Sequence, residues 1–80
     1  MRVTYDATAN AAYLQLADPQ GGAEIARMYA CDPVEVDGMI NLDFDKEGRL
    51  VGIEVLAARS KLPKRLLEAA EGFDVEGDAG

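Results

Sequence analysis

The run Met39-Ile40-Asn41-Leu42-Asp43-Phe44-Asp45-Lys46-Glu47-Gly48-Arg49-Leu50-Val51-Gly52-Ile53-Glu54-Val55-Leu56 decides the fold. Two stretches that alternate at period two flank Asp45-Lys46-Glu47-Gly48, which is the pattern of an antiparallel hairpin. A type I turn followed by glycine in the left-handed region, a G1 bulge, explains why glycine stands at 48. That turn pairs Asp45 with Arg49, Phe44 with Leu50, Leu42 with Gly52 and Asn41 with Ile53. A tighter two-residue turn would pair Leu42 with Val51 and Ile40 with Ile53 and give a cleaner apolar face. It needs positive φ at Lys46 and Glu47, which disfavours it. In the bulge register Ile40, Leu42, Phe44, Leu50 and Leu56 share one face, while Val51, Ile53 and Val55 lie on the other. Both faces then need cover.

Upstream, Arg2 to Asp6 alternates with Val3 and Tyr5 on one side, a strand period. Asp6-Ala7-Thr8-Ala9-Asn10 has turn formers at both ends, and Asx side chains hydrogen-bond their own backbone readily. Ala11 to Ala17 reads as a second strand, with Ala12, Leu14 and Leu16 on one face and Tyr13 and Gln15 on the other. Asp18-Pro19-Gln20-Gly21-Gly22 breaks the chain. Glu24 to Asp32 reads as a third strand that Pro33 ends, although Ile25, Met28 and Tyr29 also satisfy a helical stripe. Downstream, one helix starts at Ser60 or Leu62, has Pro63 in its first turn and ends at Gly72. Its stripe is Leu62, Leu66, Leu67 and Ala70, with Phe73 folding back on Leu67 as in a Schellman cap. The expected architecture is α+β: an antiparallel β-meander of about five strands with one C-terminal helix packed on one face. Residues 1–73 form one domain, and 74–80 are an acidic tail expected to fray. One short helix cannot cover such a sheet on both sides, which points to a homodimer or higher oligomer.

Composition narrows the chemistry. Eighty residues bury only about 60% of the surface an unfolded chain exposes, so the core is thin. Eight Lys+Arg against fifteen Asp+Glu leave a net charge of −7, which disfavours non-specific nucleic acid and anionic membrane surfaces as partners. With no His, one Cys and one Ser, imidazole chemistry, His-based zinc sites, intrachain disulfides and a Ser-His-Asp triad drop out. The lone Cys31 and the lack of a signal-peptide core or spanning segment fit a cytoplasmic protein.

Tyr5-Asp6, then Asn10-Ala11-Ala12-Tyr13-Leu14-Gln15-Leu16, then Leu42-Asp43-Phe44-Asp45 with Gly48 and Leu50-Val51-Gly52-Ile53-Glu54-Val55-Leu56 resemble a small bacterial family, domain of unknown function 2283 (DUF2283). The family outline is a Tyr-Asp start, an Ala-x-Tyr-Ile/Leu-x-Leu strand and an Asp-aromatic-Asp turn ahead of Leu-Val-Gly-Ile-Glu. The resemblance covers residues 3–17 and 40–62. It departs at Ala12, often bulkier in the family, and in the longer stretch 18–38. It implies a compact bacterial or phage domain and supplies no activity, cofactor or catalytic residue. Some relatives look like small companions of toxin-type proteins, so an antitoxin-like role is a further alternative.

Several constellations deserve weighing. Asp43, Asp45, Glu47 and Glu54 fall at positions 1, 3, 5 and 12 of an EF-hand-like spacing, with Gly48 at 6. They are the candidate divalent-metal ligands, or the carboxylates of an enzyme. The flanks contradict the EF-hand, because a strand enters where a helix is needed. Glu54, which the bulge register sets opposite Ile40, is a candidate general acid; its competing role is an ion pair with Arg59, Lys64 or Arg65. Arg59, Lys61, Lys64 and Arg65 gather half of the positive charge and are candidates for an anion or partner patch, against a solvated face paired to Glu68 and Glu71. Tyr13, Val51, Ile53 and Val55 are the interface candidates, on the face the helix leaves open. No catalytic residue, cofactor or resident metal is expected. The leading expectation is a non-enzymatic, homo-oligomeric interaction module that binds itself or a protein partner.

Overall fold

The computed structural model describes residues 1–17 and 24–72. Five antiparallel strands make the sheet: β1 Arg2–Asp6, β2 Ala11–Gln15, β3 Arg27–Ala30, β4 Ile40–Phe44 and β5 Leu50–Leu56. A two-residue strand, β6 Glu71–Gly72, runs parallel to β1 at the edge, so the order is β3-β4-β5-β2-β1-β6. Among the described residues, three short helices accompany the sheet in this α+β fold: α1 Pro33–Val36, α2 Ala58–Lys61 and α3 Lys64–Ala69. The strands are not a simple meander, since β2 pairs with β5 and so joins the β1–β2 hairpin to the β3–β4–β5 unit. The expected end of the helix at Gly72 is instead the edge pairing of β6. The turn expected at 18–22, the cap formed by Phe73 and the tail 74–80 lie outside the described residues.

The hairpin that opened the sequence reading forms with its anticipated turn. Gly48 has φ 85°, its N–H donates to the Asp45 carbonyl at 3.0 Å, and Phe44 pairs with Leu50. Beyond that pair the register departs from expectation. Val51 is an extra residue, so Asp43 faces Gly52, Leu42 faces Ile53 and Ile40 faces Val55. The Val51 carbonyl turns toward the end of β2 and accepts the Leu16 and Ala17 N–H groups at 2.9 and 3.3 Å. The physical reason is one-sided burial. A one-residue slip exchanges the faces of every following side chain, and this second bulge returns Ile53 and Val55 to the side of Ile40 and Leu42. Leu56, pairing with Ala11, lies on the other side. The hairpin is therefore not apolar above and below, as the single-bulge register required.

Cross-strand partners share a face. Val3, Leu14, Ile53 and Leu42 make one row, and Tyr5, Ala12, Val55 and Ile40 the next. This is the face the helices cover: Arg59 of α2 bonds the Tyr5 hydroxyl, α2 packs on β5 and α3 on β1. Between the layers, Ala12 and Val55 of the sheet and Ala58 of α2 are the most deeply buried apolar residues among those described. The helical region is two segments where one was expected. Leu62, the residue before Pro63, is driven to φ −115°, ψ 152°, outside the helical region, as a pre-proline residue prefers. Ser60 consequently sits inside α2 and donates to the Ala57 carbonyl instead of capping the following helix. The short α1 is an Asx-capped turn, with the Asp32 carboxylate accepting the Val34 N–H and Pro33 at its start.

Asn10 ties the first hairpin to α2. It adopts φ 54°, its Oδ1 accepts from the Tyr5 hydroxyl at 3.1 Å and from the Arg59 N–H at 3.0 Å, and its carbonyl accepts the Ala58 N–H. Asp6 closes the same turn by accepting the Thr8 and Ala9 N–H groups. These bonds give Tyr5, Asp6 and Asn10 their structural meaning. The domain is thin, 38 × 35 × 18 Å, which matches one sheet under one helical layer.

Candidate functional site

The opposite face of the sheet carries two mainly polar rows: Thr4, Tyr13, Glu54 and Asn41, then Arg2, Gln15, Gly52, Asp43 and the apolar Met28. Tyr13 stands beside Glu54 and leans diagonally across β5 to donate its hydroxyl to Asp43 Oδ2 at 2.8 Å. Gly52 makes this crossing possible. A Cβ there would lie 1.7 Å from the Tyr13 hydroxyl oxygen and 2.4 Å from its Cζ. Glycine in this strand is thus a consequence of a tyrosine on its neighbour, the close approach that a glycine inside a strand often marks.

Two carboxylates stand near the middle of this face, with Arg2 at the β1 end of the second row. Asp43 is 8% exposed, and Glu54 is half-buried on the same face, accepting from Asn41 Nδ2 at 3.0 Å. Glu54 therefore lies opposite Asn41, not Ile40 as the single-bulge register placed it. Burial, with the Asp43 hydrogen bond and the Asp43 and Glu54 charges behind it, pushes the Tyr13 phenol up to about 12. Its proton is held on the hydroxyl, so Tyr13 is a donor and not a base. Above this floor opens a cavity of about 400 Å³, walled by Ile25, Met28, Val51 and Ala17.

The other carboxylates serve the turn. Asp45 Oδ1 accepts the Glu47 and Arg49 N–H groups at 2.9 Å each, and Arg49 Nε reaches Asp45 Oδ2 at 3.1 Å. The Arg49 backbone N–H, its guanidinium and the Glu47 N–H hold the Asp45 carboxyl below the usual carboxylate range, against an opposing effect of burial. Glu47 pairs with Arg49 at 3.3 Å. Asp43, Asp45, Glu47 and Glu54 are thus divided between the turn and the sheet face, and no group of three potential metal ligands gathers among the described residues.

The four basic candidates also separate. Arg59 donates to the Tyr5 hydroxyl at 2.8 Å. Lys61 donates to the Val36 carbonyl at 2.9 Å and lies 3.8 Å from Asp37, tying α2 to α1. Lys64 stands 4.0 Å from Glu68, and Arg65 is exposed beside it. Of the interface candidates, Val51 and Val55 are buried within the chain at 8% and 2% exposure, Ile53 is half-buried, and Tyr13 is engaged with Asp43. Ile53 and Val55 lie on the face the helices cover, whereas Tyr13 and Val51 line the cavity on the open face, so the four do not share one surface. Three of the large exposed apolar side chains, Ile25, Met28 and Tyr29, lie together on and beside β3. The sequence reading missed them as a surface because their stripe suited a helix as well as a strand.

No helix among the described residues is long and apolar enough to cross a membrane. A family model described as a protein of unknown function, DUF2283, matches residues 2–59. No curated protein and no solved structure matches the chain.

Proposed function

The chain belongs to the DUF2283 family, and from that premise we propose that it is a non-enzymatic interaction module that self-associates through strand β3. The observation that carries this reading is the state of that strand. All four residues of β3 are exposed, Met28 and Tyr29 project to opposite faces at 55% and 53% exposure, and Ile25 just before it is 57% exposed. β3 ends the sheet order, so one side of its backbone has no strand partner among the described residues. An open edge with large apolar groups on both faces is a template for pairing with another strand.

A second copy of the chain is the occupant that the small core favours. Only Ala12, Val51, Val55 and Ala58 form the buried apolar core, two of them alanines, and no large side chain is fully buried among the described residues. A domain below about 100 residues with so little interior gains most from extending its sheet into a neighbour. The non-enzymatic part draws support from the use of the reactive groups: Asp6, Asp32 and Asp45 cap turns, and Arg59 and Lys61 brace helices.

Sedimentation equilibrium across micromolar concentrations is the test. The chain is expected to sediment as a dimer, and Tyr29→Glu, an exposed position, to sediment as a monomer with an unchanged far-ultraviolet spectrum. A parent chain that stays monomeric up to hundreds of micromolar overturns the proposal. So does a dimer indifferent to Tyr29→Glu and to Met28→Glu.

A further inference from the structure

The cavity on the open sheet face shares Ile25 and Met28 with the β3 edge, but its floor lies inward on β2, β4 and β5, and its chemistry is specific. Its floor carries two carboxylates, Asp43 and Glu54, and its walls are the apolar groups of Ile25, Met28 and Val51. Asp43 is more than nine-tenths buried, and its Oδ2 takes the Tyr13 hydroxyl. Among the described residues no donor reaches Asp43 Oδ1, and Glu54 has Asn41 on Oε1 only. None of the ion pairs among the described residues includes Asp43 or Glu54; they engage Asp45, Glu47, Asp37 and Glu68.

A buried carboxylate with one neutral hydrogen bond and no counter-charge among the described residues has acceptor capacity left over, which a cation with N–H donors fills best. The rest of the site raises that demand. Tyr13 keeps its proton and contributes no positive charge, and Glu54 adds a second negative group on the same face. We propose that this cavity is a binding site for an alkyl cation, an ammonium or guanidinium group carried on an aliphatic stem. The charged head sits between Asp43 Oδ1 and Glu54 Oε2, and the stem lies along Ile25 and Met28. The apolar walls argue against a bare divalent ion, which demands a shell of six or more oxygens. They suit a long side chain that hides its methylenes and pairs its head.

The ligand head can come from a free amine or from a lysine or arginine of a polypeptide, and the experiment separates the sources. Amide spectra of the ¹⁵N-labelled full chain are followed on adding agmatine, the tripeptide acetyl-Ala-Arg-Ala-amide, its norleucine counterpart, or magnesium chloride. Saturable shifts at Asp43, Gly52 and Glu54 with agmatine or the arginine peptide are expected. Agmatine alone points to free amines, the arginine peptide alone to a polypeptide source, and both to recognition of the head and stem in either. Glu54→Gln, which keeps the Asn41 hydrogen bond, should weaken the binding about tenfold, the size of one lost charge-assisted contact. The proposal is overturned if neither cation gives saturable shifts, if the norleucine peptide matches the arginine peptide, if magnesium alone binds at these amides, or if Glu54→Gln binds as tightly as the parent. Glu54→Gln is read beside Asp43→Asn, so that misfolding of the more buried variant does not decide the matter.

Discussion

Replacing Gly52 by alanine tests the diagonal tyrosine more sharply than any other change. The added methyl would lie 1.7 Å from the Tyr13 hydroxyl oxygen, so the ring must swing off β5 and release Asp43. What is lost is a hydrogen bond to a charged, 8%-exposed carboxylate together with the ring's own packing. A bond to a charged group contributes about 1.5–3 kcal/mol, and leaving its buried partner unsatisfied adds to that. Gly52→Ala should therefore destabilise by about 2–4 kcal/mol, against a total of only about 4–12 kcal/mol for a domain of this length. The assay is urea unfolding followed by far-ultraviolet dichroism at one fixed protein concentration, done in two backgrounds. In the parent the midpoint falls, with a melting temperature lower by about 10–25 °C. In a Tyr13→Ala background the space above Gly52 is vacant, and the same substitution should stabilise by about 0.5–1 kcal/mol, because alanine loses less backbone freedom than glycine in a strand. The coupling between the two sites is then above about 2.5 kcal/mol. An equal loss in both backgrounds would refute the account, since the penalty would then belong to the strand and not to the tyrosine.

Tyr13 also sets a pH signature. Its folded pKa, pushed up to about 12 from 10.0, means the stability it contributes is complete below pH 10 and is lost as pH rises through 12. Melting temperatures measured from pH 8 to 12 should show that alkaline decline in the parent and a shallower one in Tyr13→Phe; identical slopes would remove the basis for the assignment. At Asn10, substitution by glycine keeps the left-handed backbone but removes the acceptor for Tyr5 and Arg59. It should cost about 2 kcal/mol, one for each bond, while Asn10→Asp, which retains the acceptor, should cost less than half as much by thermal unfolding.

How much of this was legible in the sequence depends on the range over which each feature is determined. The turn at Asp45–Gly48 was readable because its cause is local: a side chain that caps two following N–H groups and a glycine three places on with φ 85°. The break at Pro63 is equally local, yet the expected single helix ran through it, because proline at a helix start and proline as a breaker look alike until the preceding residue's conformation is known. The bulge at Val51 was not readable from its neighbourhood. Two requirements met there, a turn that fixes Phe44 against Leu50 and a single apolar face that needs Ile53 on the side of Ile40 and Leu42. Each of the two simple registers satisfied one requirement, and an inserted residue satisfies both. Glu54 followed the same error, since its neighbour changed from Ile40 to Asn41 when the register slipped. The Tyr13–Asp43 pair lay further out of reach, because its members are 30 positions apart and the only trace is a glycine in an otherwise bulky strand.

The corrected register changes where an association argument can stand. With Ile53 and Val55 on the wrong side of the sheet, an apolar open face would have demanded a partner on geometric grounds alone. Once they join Ile40, Leu42, Leu14 and Ala12 under the helices, the open face is polar, and its centre is filled by Tyr13 lying over Gly52. Among the large apolar residues left exposed are Ile25, Met28 and Tyr29, on and just before the outer strand. The self-association we propose is therefore one of an edge and not of a face, with backbone pairing as its main source of order. The same relocation leaves the Asp43–Glu54 cavity floor on a face that such an edge pairing would not need to cover, because the floor lies inward of β3. A molecule built this way would present its recognition chemistry twice, on a surface made wide by pairing, while its helices guard the side that holds the fold together.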